Sequence, residues 1–195
     1  MTPTNRPITS REYKLLLITD PAVNIHPTLE QKEKILLNAV RTARQLGIAC
    51  PKVACVETIE KVNPKIPSTL DAQALKEMGA QGVFGPALVD GPLGFDIAVS
   101  QKAAEIKGVK SAVAGDPDIL LLPDLVTANV LYKCLVWFAR TQLASIVVGA
   151  TSPIVITSRS DAEKTRFLSL VMAVYLAGQG ENSKSEIRST KQISN

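Results

Sequence analysis

Short apolar runs alternate with helical stretches along most of this chain, and that alternation is what most narrows its fold. Tyr13 to Asp20 reads as a first strand closing in the turn Asp20-Pro21. Thr28 can cap a helix whose apolar face is Ile35, Leu36, Ala39, Val40, Ala43 and Leu46, stopped by Gly47. Pro51 to Val56 is a second strand. After a loop at Pro64 to Pro67, Ser68 or Thr69 starts a short helix through Leu75 and Met78 to Gly79. Val83 to Val89 leads into a strand-to-helix junction at Asp90 to Asp96, with Pro92 at a first helical position. The helix through Ala98, Ala103 and Ile106 ends at Gly108. Ile119 to Pro123 then hands over to a helix that Asp124 can cap, with Leu131, Leu135 and Phe138 beyond its first turns and Trp137 and Phe138 expected in the core. Ser145 to Gly149 and Ile154 to Ile156 read as further strands, and a helix from Ala162 to about Ala177 follows. The alternation predicts an α/β fold with a mostly parallel, doubly wound sheet.

The chemistry concentrates where the run Ile154-Val155-Ile156 gives way to Thr157-Ser158-Arg159-Ser160-Asp161-Ala162-Glu163. A continuous β-branched run predicts a buried parallel strand. Ser160 and Glu163 have the spacing of a capping box, which would set Ser158 and Arg159 at a strand's carboxyl end facing a helix N-terminus. Free N–H groups and the helix dipole favour an anion at such a place, and Arg159 adds a planar fork for phosphate or carboxylate. A plain strand-to-helix turn with a surface arginine fits these residues equally.

Other classes of chemistry find little support. The net charge of +4 contains no long Lys/Arg run, so no nucleic-acid surface is expected. The apolar runs fall far below the roughly 18 residues of a membrane span. Residues 1–11 are polar and Pro-rich, a loose leader without a signal-peptide core, so a cytoplasmic location is the default. Cys50, Cys55 and Cys134 form no Cys-x-x-Cys pair, His26 stands alone, and no metal site is expected. Nucleotide-binding glycine signatures are absent. Gly178 to Asn195 is polar and lacks aromatics, which predicts a disordered tail over 178–195.

Three motifs carry a resemblance over about Tyr13 to Ala177. They are Val89-Asp90-Gly91-Pro92-Leu93-Gly94-Phe95-Asp96; Ala114-Gly115-Asp116 with Leu122-Pro123-Asp124 and Asn129-x-x-Tyr132-Lys133; and Thr157-Ser158-Arg159. In these the chain resembles phosphate acetyl/butyryltransferases, most closely the phosphate butyryltransferase branch. The resemblance implies a fold similar to isocitrate and isopropylmalate dehydrogenases with a cleft between two domains. The implied reaction is acyl-CoA + phosphate ⇌ acyl phosphate + CoA. Acyl-CoA and phosphate are then the partners and substrates, with no tightly bound cofactor. Residues 12–177 would form the second domain plus the returning strand and helix of the first, incomplete at the N-terminus because family members carry an α/β segment ahead of Tyr13.

By the same resemblance Ser158 hydrogen-bonds the developing oxyanion and Arg159 neutralises the phosphate. The acetyl branch places its base, an Asp, where this chain has Thr165, so Asp161 is the substitute candidate, equally explained as a first-turn dipole partner. Substrate contacts would come from Asp90, Gly91, Asn129, Tyr132, Lys133 and Thr157. Asp90 and Asp124 fit helix caps as well, and Tyr132 with Lys133 fits a solvated pair. A second reading is a catalytically impaired CoA-binding or oligomerising paralogue. A metal-dependent dehydrogenase is disfavoured, because the inward-facing aspartates it needs are not seen. The apolar helix ending at Ala177 predicts a homodimer or higher homo-oligomer.

Overall fold

Strands rich in Val, Ile and Leu on both faces need cover on both faces, and the chain supplies helices to each. The computed structural model describes residues 14–193, with side chains through Gln179. The element order is β1 (Leu17–Thr19), α1 (Leu29–Gln45), β2 (Lys52–Glu57), α2 (Pro67–Ala80), β3 (Leu88–Gly94), α3 (Phe95–Val99), α4 (Gln101–Ile106), β4 (Ile119–Leu121), α5 (Leu125–Trp137), β5 (Ile146–Val147), β6 (Ile154–Val155) and α6 (Glu163–Ile193). Four strands form one parallel sheet in the order β1-β4-β2-β3.

Alternation of side chains along each strand splits the core in two. Val53, Cys55, Ile119 and Leu121 face α1 and α2, where Leu36, Val40, Ala43, Ala72 and Leu75 close over them. Ala54, Val56, Leu120 and Leu122 face the other way, onto Ile97 and Ala98 of α3, Ala104 of α4 and Ala128 of α5. The sheet is therefore doubly wound. Its carboxyl edge on either side of β4 is where connections leave toward opposite faces, the crevice in which α/β proteins place ligands.

The caps that fix helix starts at this edge follow the sequence expectation. Thr28 accepts from the Gln31 N–H and Gln31 reaches back to the Thr28 N–H, a complete capping box on α1. Asp124 accepts from the Thr127 N–H at 2.8 Å and caps α5.

Several expectations are corrected. Pro92 does not open a helix. It lies inside β3, where Gly91 and Pro92 together oppose Cys55 across a register shift against β2. A bulge on an edge strand tolerates a residue with no N–H. Gly91 is required there, since a Cβ would fall 2.6 Å from Cys55 Cβ. The helix through Ala98 and Ile106 is two helices broken at Ser100, whose hydroxyl caps the second.

The strand at Ile154 is not buried or parallel. β5 and β6 form a separate antiparallel pair, and Ile154 is 48% exposed. Only residues 148–153 separate the two strands. A parallel return needs a crossover of a dozen or more residues, so so short a link permits only a hairpin. Ser160 makes no capping box, because α6 begins at Glu163. Trp137 and Phe138 are 67% and 86% exposed rather than core, since α5 reaches the sheet cluster through Ala128 and Leu131 alone. The last helix, α6, spans Glu163–Ile193. The expected leader 1–11 lies outside the described residues.

Candidate active site

The residues after β6 are held by one carboxylate. Asp161 is 9% exposed, and its two oxygens are both engaged: Oδ2 accepts the Ser158 N–H at 2.7 Å and Oδ1 accepts the Tyr132 hydroxyl at 2.6 Å. This joins the loop 157–162 to α5, whose start Asp124 fixes at the carboxyl edge of β4. Burial, and after it the Asp161 carboxylate, raises the Tyr132 phenol above its ordinary range, so it stays a hydrogen-bond donor. Ser158 Oγ lies 3.0 Å from Ser160 Oγ and accepts the Ser160 N–H at 3.4 Å.

Arg159 is exposed. Its carbonyl accepts from Arg166 Nη2 at 3.2 Å, while its guanidinium has no acidic partner among the described residues. Lys133 Nζ stands 5.6 Å from the Tyr132 ring centroid, adding a second positive group beside the tie. The loop thus presents one fork and one hydroxyl on a backbone fixed from behind, and α5 carries an ammonium beside the Tyr132 ring that ties the loop down. Such a set can hold a tetrahedral anion and donate to a developing oxyanion.

Of the predicted site residues, the structure brings together Ser158, Arg159, Asp161, Tyr132 and Lys133, with Thr157 directly before them. Asn129 sits on the same helix, but its Nδ2 donates to the Pro21 carbonyl at 3.0 Å and anchors α5 to the turn after β1. Asp90 and Gly91 are elsewhere. Asp90 pairs with Lys76 at 2.7 Å and accepts the Gly91 N–H at 2.8 Å within β3, and no contact joins it to the Asp161 tie.

Sequence reasoning missed a charged cluster at the sheet's carboxyl edge. Lys32, 4% exposed, pairs with Asp71 at 2.8 Å, and the buried Glu57 accepts from the Ser68 hydroxyl at 2.7 Å. Burial raises the Glu57 carboxyl, while Ser68 and Lys32 oppose it. Burial, reinforced by Glu57 and Asp90, pushes the neighbouring Cys55 thiol up to about 12, so it is inert as a nucleophile. The signal was present: Lys32 falls on the buried stripe of α1 with Leu29, Leu36, Ala39 and Ala43, where a lysine requires a partner.

A parallel doubly wound sheet with a Ser-Arg loop beside it defines a class, and comparison identifies the family. Residues 7–174 match the family described as phosphate acetyl/butaryl transferase, and the chain belongs to it. Among curated relatives, phosphate acetyltransferase of Thermotoga maritima is 46% identical over 83% of this chain and 55% of its own length. Phosphate butyryltransferase of Clostridium acetobutylicum is 44% identical over 87% of this chain and 56% of its own. The chain therefore spans about half the length of the curated relatives it matches. Among solved structures, a branched-chain phosphotransacylase from Enterococcus faecalis V583 superposes with a TM-score of 0.78 at 36% identity, over 83% of this chain and 58% of that one. A phosphotransacetylase from Streptococcus pyogenes gives 0.71 at 26% identity, over 89% and 52%.

Proposed function

We propose that this chain carries the transfer of a short acyl group, butyryl or a close neighbour, between coenzyme A and phosphate: acyl-CoA + phosphate ⇌ acyl phosphate + CoA. The observation that carries the reading is the Ser158-Arg159 pair, free on its outer side and fixed from behind by Asp161 and Tyr132. Relatives named for acetyl and for butyryl transfer have similar identity to it, so the acyl group is a matter for direct comparison of the two thioesters.

In the direction of acyl-CoA formation the CoA thiol releases its proton to water and the thiolate sulfur attacks the acyl carbonyl carbon. The carbonyl oxygen becomes an oxyanion, and the phosphate oxygen then departs with the bonding pair. The Ser158 hydroxyl donates to the oxyanion, and the Arg159 fork with Lys133 balances the charge of the leaving phosphate. Asp161 acts as a positioning residue rather than as the thiol's base, because both of its oxygens already accept hydrogen bonds. The chemistry asks for no tightly bound cofactor, and no group of three His, Cys, Asp or Glu residues poised to hold a metal occurs among the described residues.

Among the described residues no helix is long and apolar enough to cross a membrane. We place the activity in the cytoplasm and in a homo-oligomer, joined through the apolar face of α6. The test is phosphate-dependent release of CoA from butyryl-CoA and acetyl-CoA, beside a Ser158→Ala control. Release that needs phosphate and drops about a hundredfold in the variant supports the reading. Release indifferent to phosphate, or to the variant, removes it.

A further inference from the structure

The loop 148–153 folds back over α1 and the described end of α6 and borders an open pocket of about 270 Å³. It lies at the opposite end of the β5–β6 hairpin from Ser158, so it is separate from the site above. Arg41, Asn38 and Gln45 project into it from α1, Thr151 and Ser152 from the loop, and the buried Leu176 gives an apolar wall.

The composition of that wall selects a charge. Among the described residues no Asp or Glu lines it. The Arg41 guanidinium has no acidic partner among the described residues, and the amides of Asn38 and Gln45 and the hydroxyls of Thr151 and Ser152 make no hydrogen bond there. The one hydroxyl already used is Thr42, which donates to the Asn38 carbonyl at 2.9 Å. The N–H groups of Gly149, Ala150, Thr151 and Ser152 find no backbone acceptor among the described residues either. The loop's course is set against α1: Gly149 adopts φ +99°, and a Cβ there would lie 2.5 Å from Asn38 Nδ2. A permanent cation among open donors, with no competing carboxylate among the described residues, attracts an oxyanion.

We propose that this pocket is a second binding site, specific for a small oxyanion such as a phosphate monoester or a short carboxylate, gripped by Arg41 and completed by Asn38, Thr151 and Ser152. A ligand seated there bridges α1 of the sheet domain to the hairpin and α6 that carry the Ser158 loop.

The test uses the full chain, titrated with sulfate and, separately, with propionate while backbone amide resonances are followed by NMR. Saturable shifts at Gly149, Thr151 and Ser152 are expected in the wild type and in Arg159→Gln. They should weaken at least about tenfold in Arg41→Gln, and less in Arg41→Lys, which keeps the charge without the fork. Arg41 is exposed, so these variants should melt as the wild type does. A response to sulfate alone assigns the site to phosphate-like ligands, and one to propionate alone to carboxylates. Shifts at 148–153 that persist unchanged in Arg41→Gln, or shifts confined to Ser158 to Ser160, overturn the proposal.

Discussion

Asp161 shows how one side chain organises a loop. Its two oxygens take the Ser158 N–H and the Tyr132 hydroxyl in a nearly dry setting, so neither bond is replaced by water when lost. Tyr132→Phe should therefore destabilise the chain by about 1 to 3 kcal/mol, since it leaves a buried acceptor unpaired, as denaturant melts would show. An unchanged midpoint would mean that water reaches Asp161. Arg159→Lys addresses the chemistry instead. It should lower acyl transfer by roughly 3 kcal/mol, a factor of about a hundred, with stability unaltered, because a lysine lacks the fork that meets two phosphate oxygens. Near-wild-type turnover would show that Arg159 does not clamp phosphate. At this scale the sequence displayed the residue types of the junction, but not that Asp161 faces inward. A Ser-x-x-Glu spacing and an aspartate one position on look the same whether the helix starts at Ser160 or, as found, at Glu163.

Elements were legible where local chemistry decides them. The caps at Thr28 and Asp124 were readable because a hydroxyl or carboxylate ahead of an apolar stripe has few other uses. The β6 direction was misread although the six-residue link excluded a parallel return, and Pro92 was misread because a bulge leaves no periodic trace. At the amino edge of the sheet the elements are laced by charge. Lys14 pairs with Asp116 and Asp118 at 2.7 and 2.9 Å, and Lys52 with Asp116 at 3.0 Å, so one cluster ties β2 to the segments flanking β1 and β4. Hydrogen bonds from Lys14, then Lys52, lower the Asp116 carboxyl to about 2. Its folded value lies below the ordinary 3.8, so its contribution is present above that value and is lost as pH falls through about 2. Asp116 is half exposed, which limits the contribution to about 1 kcal/mol or less at neutral pH. Asp116→Asn should melt earlier than wild type at pH 7, with the gap closing in acid and in high salt. A gap that stays constant from neutral pH down to about 2 would mean that charge is not its cause.

For the whole molecule, the alternating pattern conveyed a parallel sheet covered on both faces, because that alternation leaves few other ways to bury the strands. What the pattern leaves open is the cover of α6. Leu176 and Ser169 point inward, Ser169 donating to the Thr165 carbonyl and accepting the Ser145 N–H at 2.8 Å, so this side of the helix is locked to the hairpin. The other side is bare: Phe167 is 64% exposed, Leu170 57% and Val174 73%, with Val171 and Tyr175 beside them. Burying such side chains is worth roughly 1.5 to 3 kcal/mol each, and together they rival the 5 to 15 kcal/mol that holds a typical domain. A surface patch of that kind drives association, and a two-fold contact brings the same face of a second copy against it. The chain should therefore scatter light as a dimer or larger at micromolar concentration. The double variant Phe167→Glu, Val174→Glu should be monomeric with unchanged far-ultraviolet dichroism, since both side chains point away from the sheet domain. A wild type that stays monomeric with this helix folded would show that the face tolerates water, and that the energy of the fold lies entirely in the two clusters against the sheet.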